Sequence, residues 1–295
     1  MISGVRPLKW PDNFKNKTIM KTNSKILIYD DDCPLCAAYS AAFVKTGLLN
    51  EEGRKSFSNI DAASFACINK SKCHNEIPLI DINTKQVWYG IDALLEILDQ
   101  KIPSIKFIGN IKPVKWFLQK FYRLISYNRK VIVAETSKTN YDCSPDFNIR
   151  YRLCFLAVFF LFNTAMLFPL YQTVFSHSFI GGSSYLQLQT AHLLLVASNI
   201  ACGLMLKNKT GLEYLGQVNM LALLSILILL PLHFINKYFF PLQNVYINMY
   251  LFMLTVFILK QYIKRMRYAG IIGKHNWVPA VNFICLLAFI IYLII

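Results

Sequence analysis

The chain has 295 residues and a formal net charge of +15, a length that suits one or two domains. Residues 1–150 hold 22 Lys/Arg and 15 Asp/Glu, whereas residues 151–295 hold 9 Lys/Arg and a single acid, Glu213. An ordinary soluble domain is about a quarter charged, so the second half, rich in Leu, Ile and Phe, falls outside that class and has lipid as its expected solvent.

Most cations of the second half sit at the ends of apolar segments, the pattern of loops that face anionic headgroups. No nucleic-acid partner is expected. Eight cysteines are present: Cys33, Cys36, Cys67, Cys73, Cys143, Cys154, Cys202 and Cys285. Only Cys33 and Cys36 are tightly spaced. The first 24 residues are polar and basic with no apolar h-region, which argues against a secreted disulfide scaffold. They are expected to form a flexible tail, followed by a domain over 25–145 and a membrane domain over 151–295.

The first predicted element is a buried strand over 25–30, KILIYD. A helix follows from CPLCAAYSAAFVKTGL, with Leu35, Ala38, Ala42 and Phe43 at helical spacing. Asp32 is the expected N-cap, and Pro34 sits in the first turn, where its missing N–H costs nothing. Cys33 and Cys36 therefore lie at a strand-to-helix junction. A helix N-terminus offers free N–H groups and the positive end of a dipole, both of which favour a thiolate. The thiolate is the species that attacks a disulfide. Spacing of three residues puts the second sulfur on the same face, one turn along.

Further on, residues 55–60 read as a second strand and a helix is expected through Phe65 and Ile68. Residues 77–82 (IPLIDI) form a third strand opened by Pro78, and 85–89 (KQVWY) its hairpin partner. Residues 91–100 are an amphipathic helix with Ile91, Leu94, Leu95 and Leu98 on one face. The order β-α-β-α-β-β-α is that of an α/β thioredoxin-like fold. In such folds a proline opening the third strand is held cis beside the CxxC, and a cis bond is largely a proline feature; Pro78 is expected to be cis and to align a bound chain. Residues 112–126 (KPVKWFLQKFYRLIS) are basic and aromatic. They suit either a helix lying on a membrane surface or a packed amphipathic helix.

YDDDCPLC, then VWYGIDALLEIL, then FYRLISYNRK and a later Cys143 resemble the DCC family of predicted thiol-disulfide oxidoreductases. That family shows D-G-D-C-x-x-C, a G-x-D-A-hydrophobic run and an N-R pair before a final cysteine. The resemblance covers about residues 25–145. It implies a thioredoxin-like fold, Cys33 and Cys36 as the redox pair, a protein or small-molecule disulfide as substrate, and no cofactor beyond the dithiol itself. Asp31 stands where the family pattern has glycine. Three carboxylates, Asp30, Asp31 and Asp32, are then expected to crowd Cys33 and to disfavour its thiolate, while Asp30 is a candidate proton acceptor. Other readings stand beside this one: zinc held by Cys33, Cys36, Cys67, Cys73 and His74, and a membrane-anchored binding or sensory module, or a transporter-like membrane protein, in which the CxxC does no redox work.

A membrane span needs about 20 mostly apolar residues. Five segments qualify, over about 151–172, 185–206, 213–235, 244–263 and 277–295, which predicts an all-α transmembrane bundle and an integral protein of the bacterial inner membrane type. The polar residues within them are Gln189, His192, Asn199, Gln217, Asn219, His233, Asn248 and Asn282. They are candidate interhelical hydrogen-bonding partners, and His192 and His233 are candidates for a haem or quinone site. Cys154 and Cys202 both fall near the cytoplasmic ends of their spans. Arg150 and Arg152 precede the first span, and Lys207 and Lys209 follow the second. Lys260, Lys264, Arg265, Arg267 and Lys274 surround the end of the fourth. The intervening loops carry almost no Lys or Arg, so the N-terminal domain is expected in the cytoplasm and Ile295 outside. A reporter fused after Lys138 should score cytoplasmic and one fused after Ile295 external; an external score for the first would reverse the orientation.

Overall fold

The computed structural model describes residues 24–61, 66–135 and 145–295. Phe65, Cys143 and all but the last residue of the expected 1–24 tail lie outside them. The described residues form two compact units: 24–61, 66–129 and 145–146 make the first, and 130–135 with 147–295 make the second.

The first unit is built on a four-stranded sheet in the order β2-β1-β3-β4, from β1 (Lys25–Tyr29), β2 (Arg54–Ser56), β3 (Pro78–Asp81) and β4 (Val87–Tyr89). β1 runs parallel to β2 and antiparallel to β3, and β3 antiparallel to β4. β1 is central, which is why KILIY is apolar on both faces. Successive side chains point to opposite sides of a sheet. Leu27 and Leu79 pack with Ala93, Ile97, Phe43 and Tyr122 on one side. Ile26, Ile28 and Ile80 pack with Phe57, Ile68 and Cys73 on the other. This mixed sheet with its helices is the expected thioredoxin-like arrangement.

The helices of this unit are α1 (Pro34–Lys45), α2 (Lys70–Cys73), α3 (Gly90–Leu98), α4 (Ile105–Gly109) and α5 (Lys112–Ile132). The second strand is shorter than expected and gives way to a 3-10 turn at Phe57–Asn59. Ile68 lies in a turn ahead of α2. The inward face of α1 carries Cys36, Tyr39, Ser40 and Phe43, while Ala38 and Ala42 are exposed. That stripe, and not the one through Leu35, Ala38 and Ala42, has the i, i+3/i+4, i+7 spacing that meets the sheet.

The Ile77–Pro78 bond is trans, for no cis peptide occurs among the described residues. Pro78 heads a strand, where its lack of an N–H is tolerated. The preceding residue is fully used on both sides: Ile77 C=O accepts from Gly90 N–H at 2.9 Å, and Ile77 N–H donates to Tyr122 Oη at 2.9 Å. Gly90 has φ +57°, and a Cβ there would stand 3.2 Å from Tyr122 Cε1. The glycine therefore allows both a left-handed turn into α3 and the close approach of α5.

The second unit holds five helices, α6 (Ile149–Thr173), α7 (Tyr185–Met205), α8 (Asn208–Tyr238), α9 (Asn244–Tyr268) and α10 (Trp277–Ile294). All five are long and apolar enough to cross a membrane. Large apolar side chains such as Leu204 and Phe252 are exposed along them, as lipid-facing residues are. Each of the eight polar residues noted within the spans has a protein partner. Asn163 Nδ2 donates to Asn219 Oδ1, Thr164 pairs with His192, Thr173 with His233, and Tyr214 Oη meets Asn199 and Asn282. Gln189 accepts from Tyr185, and Asn248 from the Phe179 N–H. The two histidines are thus taken up by separate threonines of α6. Cys154 is exposed and Cys202 buried; Cys202 neighbours Cys285 of α10.

One ionic cluster lies near the start of α6, the start of α8 and the end of α9. Arg152 Nη1 binds Glu213 Oε2 at 3.0 Å, Gln217 Nε2 donates to Glu213 Oε1 at 2.9 Å, and Arg265 Nη1 donates to Gln217 Oε1 at 2.7 Å. Arg265 also donates to the carbonyls of Val131 and Ile132, at 2.7 and 3.1 Å. The last carbonyls of a helix have no partner within it, and Arg265 supplies one for the end of α5.

Candidate functional site: a buried dithiol beside an arginine

The N-cap of α1 is Cys33, not Asp32. Its backbone is extended (φ −112°, ψ 99°), Pro34 follows at the first helical position, and its Sγ accepts the Cys36 N–H at 3.3 Å. Placing Pro34 at the first turn leaves Cys33 as the capping residue, and sulfur takes the part that serine or aspartate oxygen usually plays. Asp32 N–H instead donates to Asp30 Oδ1 at 3.0 Å, which closes the turn between β1 and α1.

Cys36 Sγ lies 2.8 Å from Cys33 Sγ and donates to it. Both thiols are buried, at 2% and 3% exposure. Arg129, on the penultimate turn of α5, completes the site: its Nη2 stands 3.1 Å from Asp30 Oδ2, and its Nη1 donates to Cys36 Sγ at 3.7 Å. The guanidinium thus bridges the carboxylate and the dithiol. Tyr39 and Tyr122 wall the site. Burial pushes both phenols up, so both are neutral hydroxyls.

These surroundings separate the two thiols. The hydrogen bond from Cys36 holds the Cys33 thiol down to about 7, helped by the Arg129 charge and the Cys36 N–H, against burial and the Asp30 charge. The Cys36 thiol is pushed far up, first by the hydrogen bond it gives Cys33 and then by burial. Cys33 is thus the more readily ionised of the two sulfurs and Cys36 the one held protonated, a split that thiol exchange can use.

Of the three carboxylates expected to crowd Cys33, Asp30 opposes its ionisation, and Arg129 faces that carboxylate. Asp31 accepts from Ser58 Oγ. Asp30 acts in the expected direction, and the net result is nonetheless a lowered Cys33 thiol, because the groups that lower it arrive from α1 and α5. Arg129 was visible in sequence only as part of the Asn128–Arg129 pair. A sharper signal was its place at i+7 from Tyr122 and i+3 from Ser126, since both bind the strand side of the unit, Tyr122 at Ile77 and Ser126 at the Asn75 carbonyl.

Cys73 lies elsewhere, in the core against Ile28 and Phe57, and burial pushes its thiol up to about 12. Among the described residues no group of three His, Cys, Asp or Glu side chains is placed to hold a metal.

A family model, DCC1-like thiol-disulfide oxidoreductase, matches residues 27–134. The match takes in β1 from Leu27 on, the other three strands, and Asp30, Cys33, Cys36 and Arg129. The chain therefore carries a DCC1-like thiol-disulfide oxidoreductase domain followed by five long apolar helices. Comparison with curated proteins and with solved structures gives no match.

Site-resolved alkylation of the full chain should show Cys33 reacting with a midpoint near pH 7, while Cys36 and Cys73 stay unreactive until far more alkaline pH. Arg129→Gln should slow Cys33 labelling at pH 7 about fivefold or more, the loss of thiolate for a tenfold weaker acid. Asp30→Asn should quicken it. Equal rates in the two variants would separate the arginine from the thiolate.

Proposed function

We propose that the protein exchanges thiols and disulfides at the cytoplasmic face of a membrane, anchored there by its five apolar helices. The observation that carries this reading is the 2.8 Å approach of the two sulfurs with Cys33 as the more acidic. Cys33 thiolate attacks one sulfur of a substrate disulfide. The substrate S–S bond breaks, a Cys33–substrate disulfide forms, and the displaced substrate sulfur leaves as a thiolate that takes up a proton.

Cys36 then resolves this intermediate. In the first step the negative charge leaves Cys33, which removes the main obstacle to ionising Cys36, and the Arg129 guanidinium already lies against that sulfur. Cys36 loses its proton and attacks Cys33 Sγ. The mixed disulfide breaks and the second substrate thiol departs. The substrate has gained two electrons, and Cys33 and Cys36 have become a disulfide, which a dithiol donor of lower potential must reduce. Pro34 is exposed beside Cys33, so substrate arrives from that side. Asp30 is the candidate group for receiving the Cys36 proton, with Asp32 fixing it through its N–H. Pro78, trans at the head of β3, remains a candidate for aligning a bound chain.

The cytoplasmic orientation rests on loop charge. It is supported by the gathering of Arg152, Glu213 and Arg265 near the helix ends that this orientation makes cytoplasmic.

Cys33→Ser should abolish disulfide reduction. Cys36→Ser should accumulate a mixed disulfide through Cys33, and because serine keeps an O–H to donate to the sulfur, its Cys33 should stay more reactive than that of Cys36→Ala. Unimpaired turnover by Cys33→Ser would reject the assignment.

A further inference from the structure

Between Asp99 and Glu135 the chain has eight Lys/Arg and no acid. This stretch includes α4 and α5. One side of α5 is committed to the first unit: Tyr122 holds the Ile77 N–H, Ser126 the Asn75 carbonyl and Arg129 the dithiol. The opposite side carries Pro113, Trp116, Phe117, Lys120 and Phe121, spaced as one helical face. Trp116, Phe117 and Phe121 are 63%, 60% and 54% exposed, and Phe107 of α4 is 76% exposed. Phe117 stacks on Phe121, and Lys120 lies over the Trp116 ring.

Such a patch of rings is expensive in water and is uncommon on a soluble surface without a partner. We infer that this face of α4 and α5 docks into the headgroup layer of an anionic leaflet. Three observations select lipid as the occupant. Trp and Phe interleaved with Lys, with no acid on the stretch, match the composition of interfacial helices. Lys106, Lys115, Arg123 and Arg129 are ion-paired within the first unit, whereas Lys112 and Lys120 are exposed and complement anionic headgroups, each contributing about 1 kcal/mol near such a surface. The tether is short as well: sixteen residues, 133–148, separate α5 from the first apolar helix. They reach at most about 50–60 Å, so the patch meets lipid at high effective concentration. This inference rests on reading the five helices as membrane spans.

The test uses the full chain in nanodiscs containing phosphatidylglycerol. Trp10→Phe, Trp88→Phe and Trp277→Phe together leave Trp116 as the sole tryptophan. A second protein, with all four tryptophans replaced by Phe and Phe252→Trp added, reports on α9. Trp116 fluorescence should be quenched by lipid carrying a shallow nitroxide and shielded from aqueous acrylamide. Lys112→Gln with Lys120→Gln should lower the docked-to-undocked ratio about thirtyfold, the equivalent of two such charges. If Trp116 is open to acrylamide and silent to lipid while the α9 reporter is lipid-quenched, the spans stand and the docking is overturned. Shielding of Trp116 from both quenchers would mean that protein covers the patch, which also overturns it. Lipid silence in both proteins would remove the membrane reading itself.

Discussion

A guanidinium buried between a carboxylate and two thiols is the interaction around which the first unit is organised. An unpaired charge of that kind is costly away from water, so Asp30 and Arg129 each make the other tolerable. Their placement depends on distant parts of the chain. Asp30 directly follows the central strand, and Arg129 is delivered by α5, a helix of 21 residues held to the strand side by Tyr122 and Ser126. Gly90 permits that approach, since any side chain there would press on Tyr122. The glycine, the tyrosine and the arginine thus form one chain of physical dependence that ends at sulfur.

The chemistry follows from the same arrangement. A helix N-terminus alone favours whichever group caps it. Here the cap is Cys33 itself, and Cys36 supplies both an N–H and an S–H to it. The arginine lies against Cys36 and its charge favours ionisation of both thiols; in the proposed exchange it would serve the first in the resting state and the second once the first is covalently occupied. Asp30 keeps that charge from being unbalanced in a buried site and is the group proposed to receive the second proton.

Much of this was legible in the sequence, and the gaps have physical causes. Strand and helix positions followed from apolar runs and from Pro and Gly, and the five spans from composition. The inward face of α1 was harder, because a short helix with alanines on several sides offers no single apolar stripe. The N-cap was misplaced by one residue because Asp32 and Cys33 can both cap, and only the backbone decides. The acids beside Cys33 are adjacent in the chain, but the charge that outweighs Asp30 comes from a residue 93 positions from Cys36, which no local pattern displays, and Asp31 is engaged by Ser58. The cis bond expected at Pro78 comes from related folds and not from these residues; here the bond is trans, with Ile77 hydrogen-bonded to Gly90 and Tyr122.

The central claim is that Arg129 stabilises the reduced, thiolate form of the pair, and the most direct measurement is the reduction potential of Cys33/Cys36 in the full chain against a glutathione or dithiothreitol buffer. Stabilising the thiolate stabilises the reduced state and raises the potential. Arg129→Gln should therefore make the pair more reducing, by roughly 30 mV or more for a tenfold change in the exchange equilibrium. An unchanged potential, or one that becomes more oxidising, would contradict the account.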